Sequence, residues 1–271
     1  MLSGVTIGQY YPGNSLVHRV DPRMKIVLIL ILMVSVFLCK SFWAIGLCLA
    51  VTLAILIISK INFKTVLKGL KPIIIIVIIT SVLNLFYGSG EPIVSFWVFK
   101  ITKNGIFSAI FMSLRVFLLV INGLMLTYTT TPTALTDAIE ALLKPLHTLF
   151  KLDIHSLAMT MTIALRFIPT LIEEVDKIMS AQKSRGADME SGNLLKRVKA
   201  LVPVLIPLFV SSFRRANELA YAMECRCYRG GEGRTKMKQM RLKALDFGAL
   251  CFVLIYLAGV IIMRILIPSV I

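Results

Sequence analysis

Uninterrupted apolar runs are the feature that most constrains this chain. Residues 26–39, 42–59 and 73–87 contain no charged side chain. Runs of this length are typical of transmembrane helices and are too long for the buried strands of a soluble α/β enzyme. The chain is 57% hydrophobic and 16% charged, against about 45–50% and 25% in soluble domains. It is therefore predicted to be an integral membrane protein, which excludes a soluble fold, a disordered chain and a disulfide scaffold.

The positive charge of the chain has a membrane explanation. The net charge of +16 would suggest nucleic-acid binding in a soluble protein. In a membrane protein, Lys and Arg collect in cytoplasmic loops, where they meet anionic headgroups. We therefore interpret the basic stretch at 234–243 as a membrane-surface anchor and expect no nucleic-acid partner. The five scattered cysteines are typical of reduced thiols rather than a disulfide framework.

Charge at the ends of the apolar runs predicts the topology. We expect five crossings, at residues 26–39, 42–59, 73–87, 105–128 and 247–263. Basic residues precede the first run and follow the second, so both flanks should be cytoplasmic and the C-terminus external. The N-terminus shows no cleavable signal peptide. Residues 88–104 are predicted to be an external loop whose segment 93–101 forms a short hairpin or lies in the membrane interface.

One charged residue, Arg115, lies within the run 105–128. Burying an arginine midway across a membrane is unfavourable, so its side chain should face the bundle interior or a polar partner. Two interpretations stay open at this stage. Arg115 either pairs structurally within the bundle or is an intramembrane polar site on a transport path.

A composition change divides the chain into three predicted parts: transmembrane helices in 1–128, a cytoplasmic or interfacial region in 129–243 and a last transmembrane helix in 244–271. The middle part has 18 Lys and Arg and 11 Asp and Glu. It should hold a helix over 133–143 that ends at Lys144-Pro145, and two long amphipathic helices over about 155–184 and 193–227. Asp153 and Gly186 cap the first long helix, and Pro203 and Pro207 predict a kink or break in the second.

The sequence shows no catalytic constellation. None of the three histidines has metal-ligand spacing to another His, Cys or carboxylate, and Cys225-Arg226-Cys227 is too tight for a zinc pair. No Walker A sequence is present, so the chain itself should not hydrolyse ATP. We expect a non-catalytic protein that binds no metal or cofactor of its own.

Each of the two long predicted helices ends in an arginine set among small residues. The two sets are Ser184-Arg185-Gly186 and Cys225-Arg226-Cys227. Small neighbours let a helix end approach a partner closely, and a guanidinium group suits a carboxylate. A single arginine in a last helical turn is ordinary complementation of the helix dipole. The repetition favours a functional role.

These residues resemble the transmembrane T component of energy-coupling-factor (ECF) transporters, bacterial vitamin and micronutrient importers, in a family that also includes cobalt-transport permeases. The similarity covers essentially the full length. It is carried by the blocks Asp21-Pro22-Arg23 with Lys25, Pro132-Thr133-Ala134-Leu135 with Ala138 and Ile139, Leu165-Arg166-Phe167-Ile168-Pro169, and Ala181-Gln182-Lys183-Ser184-Arg185-Gly186-Ala187. The second arginine motif of the family usually reads Ala-Arg-Gly. Here Cys227 replaces the glycine, so the resemblance leaves the geometry of that helix end open.

The resemblance implies an all-α, multi-pass protein of the bacterial cell membrane that acts as a scaffold. Arg185 and Arg226 would each dock into one of two cytoplasmic ATP-binding-cassette (ABC) ATPases, with Ser184, Gly186, Cys225 and Cys227 shaping the contacts. ATP and Mg²⁺ would be bound by those ATPases. A membrane-embedded substrate-binding S component would select the vitamin and be moved by the coupling helices.

Other functions weighed from the sequence are a self-contained ABC permease, a secondary transporter and a membrane-bound enzyme. Either transporter needs its own intramembrane substrate path, for which Arg115 is the one charged candidate. An enzyme would need a catalytic cluster at the interface. These remain the alternatives to the scaffold hypothesis.

Overall fold

A computed structural model of the protein describes residues 10–86, 92–96, 99–150, 153–187, 193–230 and 240–266. Within these ranges the fold is all-α apart from one hairpin, which confirms the predicted fold class. The elements are α1 (Leu16–Arg19), α2 (Pro22–Leu38), α3 (Phe42–Ser59), α4 (Phe63–Leu70), α5 (Ile74–Phe86), β1 (Pro92–Phe96), β2 (Phe99–Thr102), α6 (Lys103–Thr129), α7 (Pro132–Phe150), α8 (Ile154–Ser184), α9 (Leu194–Cys225) and α10 (Ala244–Leu266).

Five helical segments in the described residues are long and apolar enough to cross a membrane: Phe42–Ser59, Phe63–Leu85, Lys103–Thr129, Ile154–Ser184 and Ala244–Leu266. Four of the five predicted crossings are among them. The fifth, α2, has 17 residues, which is the lower limit of the length range for a transmembrane helix. The additional segment is α8, the least apolar of the five.

Several local predictions can be compared with the observed elements. The strands β1 and β2 pair antiparallel, which confirms the hairpin. The helix predicted to stop at Lys144-Pro145 continues through Pro145 to Phe150. That prediction is wrong because an internal proline removes one backbone hydrogen bond without always ending a helix. Helix α4, which a 3₁₀ turn joins to α5, was not predicted, and α9 is unbroken across Pro203 and Pro207.

The chain divides into two compact units. The membrane unit contains the described residues within Gly8–Ala138 and Lys238–Ile271, and the helix-pair unit contains those within Ile139–Met237. In the membrane unit α2 packs on α6 and α10, while α6 also packs on α3 and α5. Its core includes the fully buried side chains of Val36, Ile45, Phe111, Leu118 and Val260. In the helix-pair unit α8 packs on α9.

Buried polar groups join the helix ends of the membrane unit. Asp21 caps α2 by accepting from the N–H of Arg23, and its own N–H donates to Oδ1 of Asp246, at 2.8 Å. The Nζ of Lys25, a residue that is 4% exposed, donates to the Thr129 carbonyl at 2.8 Å. Because charged and polar groups are expensive to bury without partners, these bonds fix the start of α2 against the end of α6 and the start of α10.

Candidate functional site

The end of α8 forms a Schellman motif, a glycine-terminated helix end closed by two backbone hydrogen bonds. The N–H of Gly186 donates to the Lys183 carbonyl at 3.0 Å, and the N–H of Ala187 donates to the Gln182 carbonyl at 3.0 Å. Gly186 has a φ of 80°, in the left-handed region that glycine enters without a steric penalty. The predicted cap at Gly186 is confirmed.

The end of α9 forms the same motif without a glycine. The N–H of Cys227 donates to the Glu224 carbonyl at 2.9 Å, and the N–H of Tyr228 donates to the Met223 carbonyl at 3.0 Å. Cys227 takes the left-handed position, with a φ of 55°. The glycine-to-cysteine replacement therefore keeps the geometry of the helix end and places an L-residue where it is strained by about 1–2 kcal/mol.

The two arginines occupy equivalent positions in these motifs. Arg185 is the C-cap residue of α8, with φ −85° and ψ 8°, and Arg226 is the C-cap residue of α9, with φ −93° and ψ 14°. Both are exposed, as are Ser184, Gly186, Cys225 and Cys227. A guanidinium group at a helix C-terminus complements the dipole and offers several N–H donors to a carboxylate. Each end can therefore present one cation to an acidic partner.

Helices α8 and α9 run antiparallel. Gln182 near the end of α8 contacts Pro203 near the start of α9, whereas Glu174 contacts Ser211 and Arg215 further along. The two arginines therefore lie at opposite ends of the pair. From Pro203 to Arg226 is 23 residues, or about 35 Å at about 1.5 Å per residue.

A carboxylate joins the two helices near the middle. Glu174 accepts a hydrogen bond from the Ser211 hydroxyl, and its Oε2 lies 3.1 Å from Nη2 of Arg215. The Glu174 side chain is 18% exposed and that of Arg215 is 40% exposed. One residue of α8 thus contacts two successive turns of α9.

A second polar contact lies near the Arg185 end. The Nε2 of Gln182 donates to the Pro203 carbonyl at 3.4 Å. In a helix that carbonyl would accept from the N–H four residues on, but residue 207 is a proline and has no N–H. Gln182 therefore supplies a donor to the backbone acceptor that Pro207 leaves free.

Helix α9 also exposes an apolar stripe. Leu195, Val198, Val202, Leu205, Phe209 and Phe213 are between 44% and 77% exposed. Their spacing of three or four residues places them on one face of the helix. We call this face the α9 stripe. Exposed apolar surface of this extent marks a contact with a protein or a membrane.

Comparison with known proteins supports a transport role. A family described as cobalt transport protein, CbiQ, matches residues 13–237. The chain belongs to the CbiQ family. The energy-coupling factor transporter transmembrane protein EcfT of Ruminiclostridium cellulolyticum is 53% identical, over 97% of this chain and 98% of the relative. The EcfT proteins of Clostridium kluyveri and Bacillus subtilis are 52% and 48% identical, over 93% and 89% of this chain and 94% and 91% of their own lengths.

Membership in the CbiQ family confirms the resemblance found in the sequence. The chain is a multi-pass transmembrane component of an energy-coupling-factor transporter, which is consistent with a non-catalytic role. In the part of the chain that the structure describes, no group of three or more His, Cys, Asp or Glu residues is placed to hold a metal ion.

Arg115 lies in the membrane unit of this CbiQ-family chain. Its Nη2 donates to the Cys39 carbonyl, at 2.6 Å, and the guanidinium carbon lies 4.8 Å from the centre of the Phe111 ring. Cys39 is the C-cap residue of α2, so an arginine of α6 satisfies one carbonyl at the end of α2. Cys39 is 0% exposed, whereas Arg115 itself is half-buried.

The residues that connect the helix pair were not predicted from the sequence, and neither Glu174 nor Arg215 was a candidate site residue. The Gln182 contact had a readable signal, because a proline in a helix always frees the carbonyl four residues earlier. The Glu174–Arg215 pair had none, because pairing across helices depends on their relative orientation.

Proposed function

We propose that this chain is the scaffold and energy-coupling subunit of an ECF-type importer of vitamins or other micronutrients. The observation that carries the proposal is the pair of matching helix ends. Two exposed arginines sit in the same backbone motif, at opposite ends of one antiparallel pair. Two helices packed on each other in this way can transmit movement from one attached subunit to another.

The partners of the two ends are two ABC ATPases, one for each arginine. A typical protein docking patch of about 800 Å² is roughly 30 Å across, so ends separated by about 35 Å can each hold a separate subunit. Arg185 and Arg226 would bind carboxylates in the ATPase grooves, and the small residues Ser184, Gly186, Cys225 and Cys227 would allow close approach. ATP and Mg²⁺ would be bound by the ATPases, so this chain needs no cofactor of its own.

The α9 stripe is the proposed contact for a membrane-embedded S component. A partner that lives in the membrane has an apolar surface, which would cover Phe209 and Phe213. Movement of the helix pair would then reach the S component, which selects the vitamin. We place the N-terminus and residues 129–243 on the cytoplasmic side of the bacterial cell membrane, because basic residues concentrate there. The helices of residues 1–128 and 244–271 form the membrane anchor.

Charge reversal tests the proposal. Arg185→Glu, Arg226→Glu and the double variant would be co-expressed with the two ATPases and an S component, purified in nanodiscs to measure association, and reconstituted in proteoliposomes to measure uptake. We expect each single variant to lose one ATPase and the double variant to lose both, together with ATP-driven uptake. The matched control is Arg19→Glu, an exposed arginine in the last turn of α1, which should retain both ATPases.

Full ATPase association and uptake by the double variant would refute the coupling assignment. A self-contained permease or secondary transporter would then be the better hypothesis. The contacts of the half-buried Arg115 with the Cys39 carbonyl and the Phe111 ring favour a packing role over that alternative, because they already give the arginine a polar partner within the membrane.

A further inference from the structure

The central ion pair divides the helix pair symmetrically. Glu174 lies 11 residues before Arg185 in α8, and Arg215 lies 11 residues before Arg226 in α9. Because the helices are antiparallel and these two side chains meet at 3.1 Å, each arginine lies about 16 Å of helix from the same contact. Neither helix end is closer to the ion pair than the other.

Both carboxylate oxygens of Glu174 are directed to α9. Oε1 accepts from the Ser211 hydroxyl, and Oε2 faces the Arg215 guanidinium. Ser211 is 7% exposed and the Arg215 side chain is 40% exposed, so this contact runs from the packed seam to its solvent edge. Bonds that involve charged groups are stronger than neutral ones and fix the separation of their partners.

The two halves of the helix pair differ on either side of this contact. Toward Arg185, the helices are joined again by Gln182 and the Pro203 carbonyl. Toward Arg226, an open cleft of about 280 Å³ lies between the helices, and its mostly apolar walls include Phe167, Leu171, Leu219 and Met223, with Arg215 at the pivot end. Apolar walls can slide with little change in energy, because dispersion contacts have no preferred direction.

We propose that Glu174 and Arg215 form the pivot of the coupling helices, with Glu174 as the positioning residue that sets the separation of Arg185 and Arg226. The Arg185 half is held on α9, and the Arg226 half moves about the pivot when the ATPases change state. This inference rests on the proposed coupling function. It adds the contact through which the two ATPase-docking ends act on each other.

The test measures coupling rather than assembly. Glu174→Gln and Arg215→Gln would be compared in the full complex, reconstituted in proteoliposomes, by the number of ATP molecules hydrolysed per vitamin imported. Both variants keep the two arginine ends, so both ATPases should still copurify. Because the Arg215 side chain is 40% exposed and exposed ion pairs are weak, we expect the ratio of ATP to vitamin to rise about two- to fivefold. The matched control is Glu173→Gln, an exposed neighbour, for which the ratio should not change.

Charge exchange separates the pivot from a general structural role. The double variant Glu174→Arg, Arg215→Glu restores an ion pair of reversed polarity and should recover most of the wild-type ratio of ATP to vitamin. If the single variants act by disrupting the fold, the double variant should not recover it. Spin labels on ketone-bearing amino acids at Ser180 and Tyr221, both exposed, should give one narrow distance distribution in the wild type and the exchanged variant. The distribution should broaden in Glu174→Gln.

The outcomes distinguish the two proposals. If Arg185→Glu and Arg226→Glu release the ATPases but Glu174→Gln leaves both the ratio and the distance distribution unchanged, the pivot is refuted and the coupling function stands. If charge exchange fails to recover a complex that is well assembled, the pivot is also refuted. If the arginine variants keep their ATPases, the coupling function itself fails.

Discussion

The two helix ends predict opposite effects of two small substitutions. Gly186 and Cys227 occupy the same left-handed position of the same motif, with φ values of 80° and 55°. Gly186→Ala places an L-residue in that position, and Cys227→Gly removes one. A Cβ added at Gly186 would have no heavy atom within 4 Å, so the first substitution tests backbone conformation without a steric clash.

The magnitude follows from two opposing terms. An L-residue in the left-handed region is strained by about 1–2 kcal/mol. Replacing glycine also lowers the entropy of the open state, which stabilises the closed end by about 0.4–1 kcal/mol. The net change is about 1 kcal/mol, or about fivefold in the equilibrium between closed and open helix ends. Gly186→Ala should favour opening by this factor, and Cys227→Gly should oppose it.

Amide hydrogen exchange of the full-length protein in nanodiscs measures this equilibrium. The relevant amides are the motif donors at residues 186 and 187 and at residues 227 and 228. Exchange, corrected for the rate of each amide in an unstructured peptide, should be about fivefold faster at the first end in Gly186→Ala and about fivefold slower at the second in Cys227→Gly. Gly248→Ala, within α10, is the control and should leave both ends unchanged. Changes of the same sign in the two variants, or no change in either, would refute the reasoning.

Three further predictions concern the membrane unit. Thermal unfolding in nanodiscs tests the change in stability in each, and vitamin uptake by proteoliposomes tests the selectivity in the second. Lys25→Met leaves buried carbonyls without a donor and should lower the free energy of unfolding by about 1–3 kcal/mol. Lys25→Arg can still donate and should keep part of that stability. An unchanged unfolding midpoint in Lys25→Met would contradict the role of the buried hydrogen bonds. Arg115→Met should also destabilise by about 1–3 kcal/mol while leaving the selectivity for vitamin unchanged, and altered selectivity would revive a transport-path role. In Gly69→Ala the new Cβ would meet the Tyr128 hydroxyl, so we expect a loss of about 1–3 kcal/mol; Gly46→Ala, which has open space, should be neutral or stabilising.

Local features of the fold were predictable from the sequence because short-range chemistry determines them. Asp153 accepts from the N–H of Ser156 at the start of α8, and Gly186 ends that helix in the left-handed region, as the cap rules indicate. The apolar runs likewise locate α3, α6 and α10 to within a few residues. Each of these features depends on residues fewer than five positions apart or on a continuous run.

Features that depend on neighbouring helices were not predictable in the same way. The sequence left two interpretations for Arg115. Its acceptor is a carbonyl at the end of α2, which comes within reach only when α2 and α6 pack together. The αL conformation of Cys227 was open for a related reason. Intrinsic preference opposes it, and only the two hydrogen bonds of the completed helix end show that the motif forms without glycine.

Two differences between the halves of the helix pair fall on the same end. The Arg226 end has a strained residue, Cys227, in its closing turn, and the cleft lies between it and the pivot. The Arg185 end has a glycine in the strained position and is held on α9 by Gln182. Opening either end breaks the two hydrogen bonds of its closing turn. Opening the Arg226 end also releases the strain at Cys227, whereas moving the Arg185 end also breaks the Gln182 contact. Under the proposed coupling function, the ATPase bound at Arg226 would meet the more compliant end, and displacement of the helix pair would begin there.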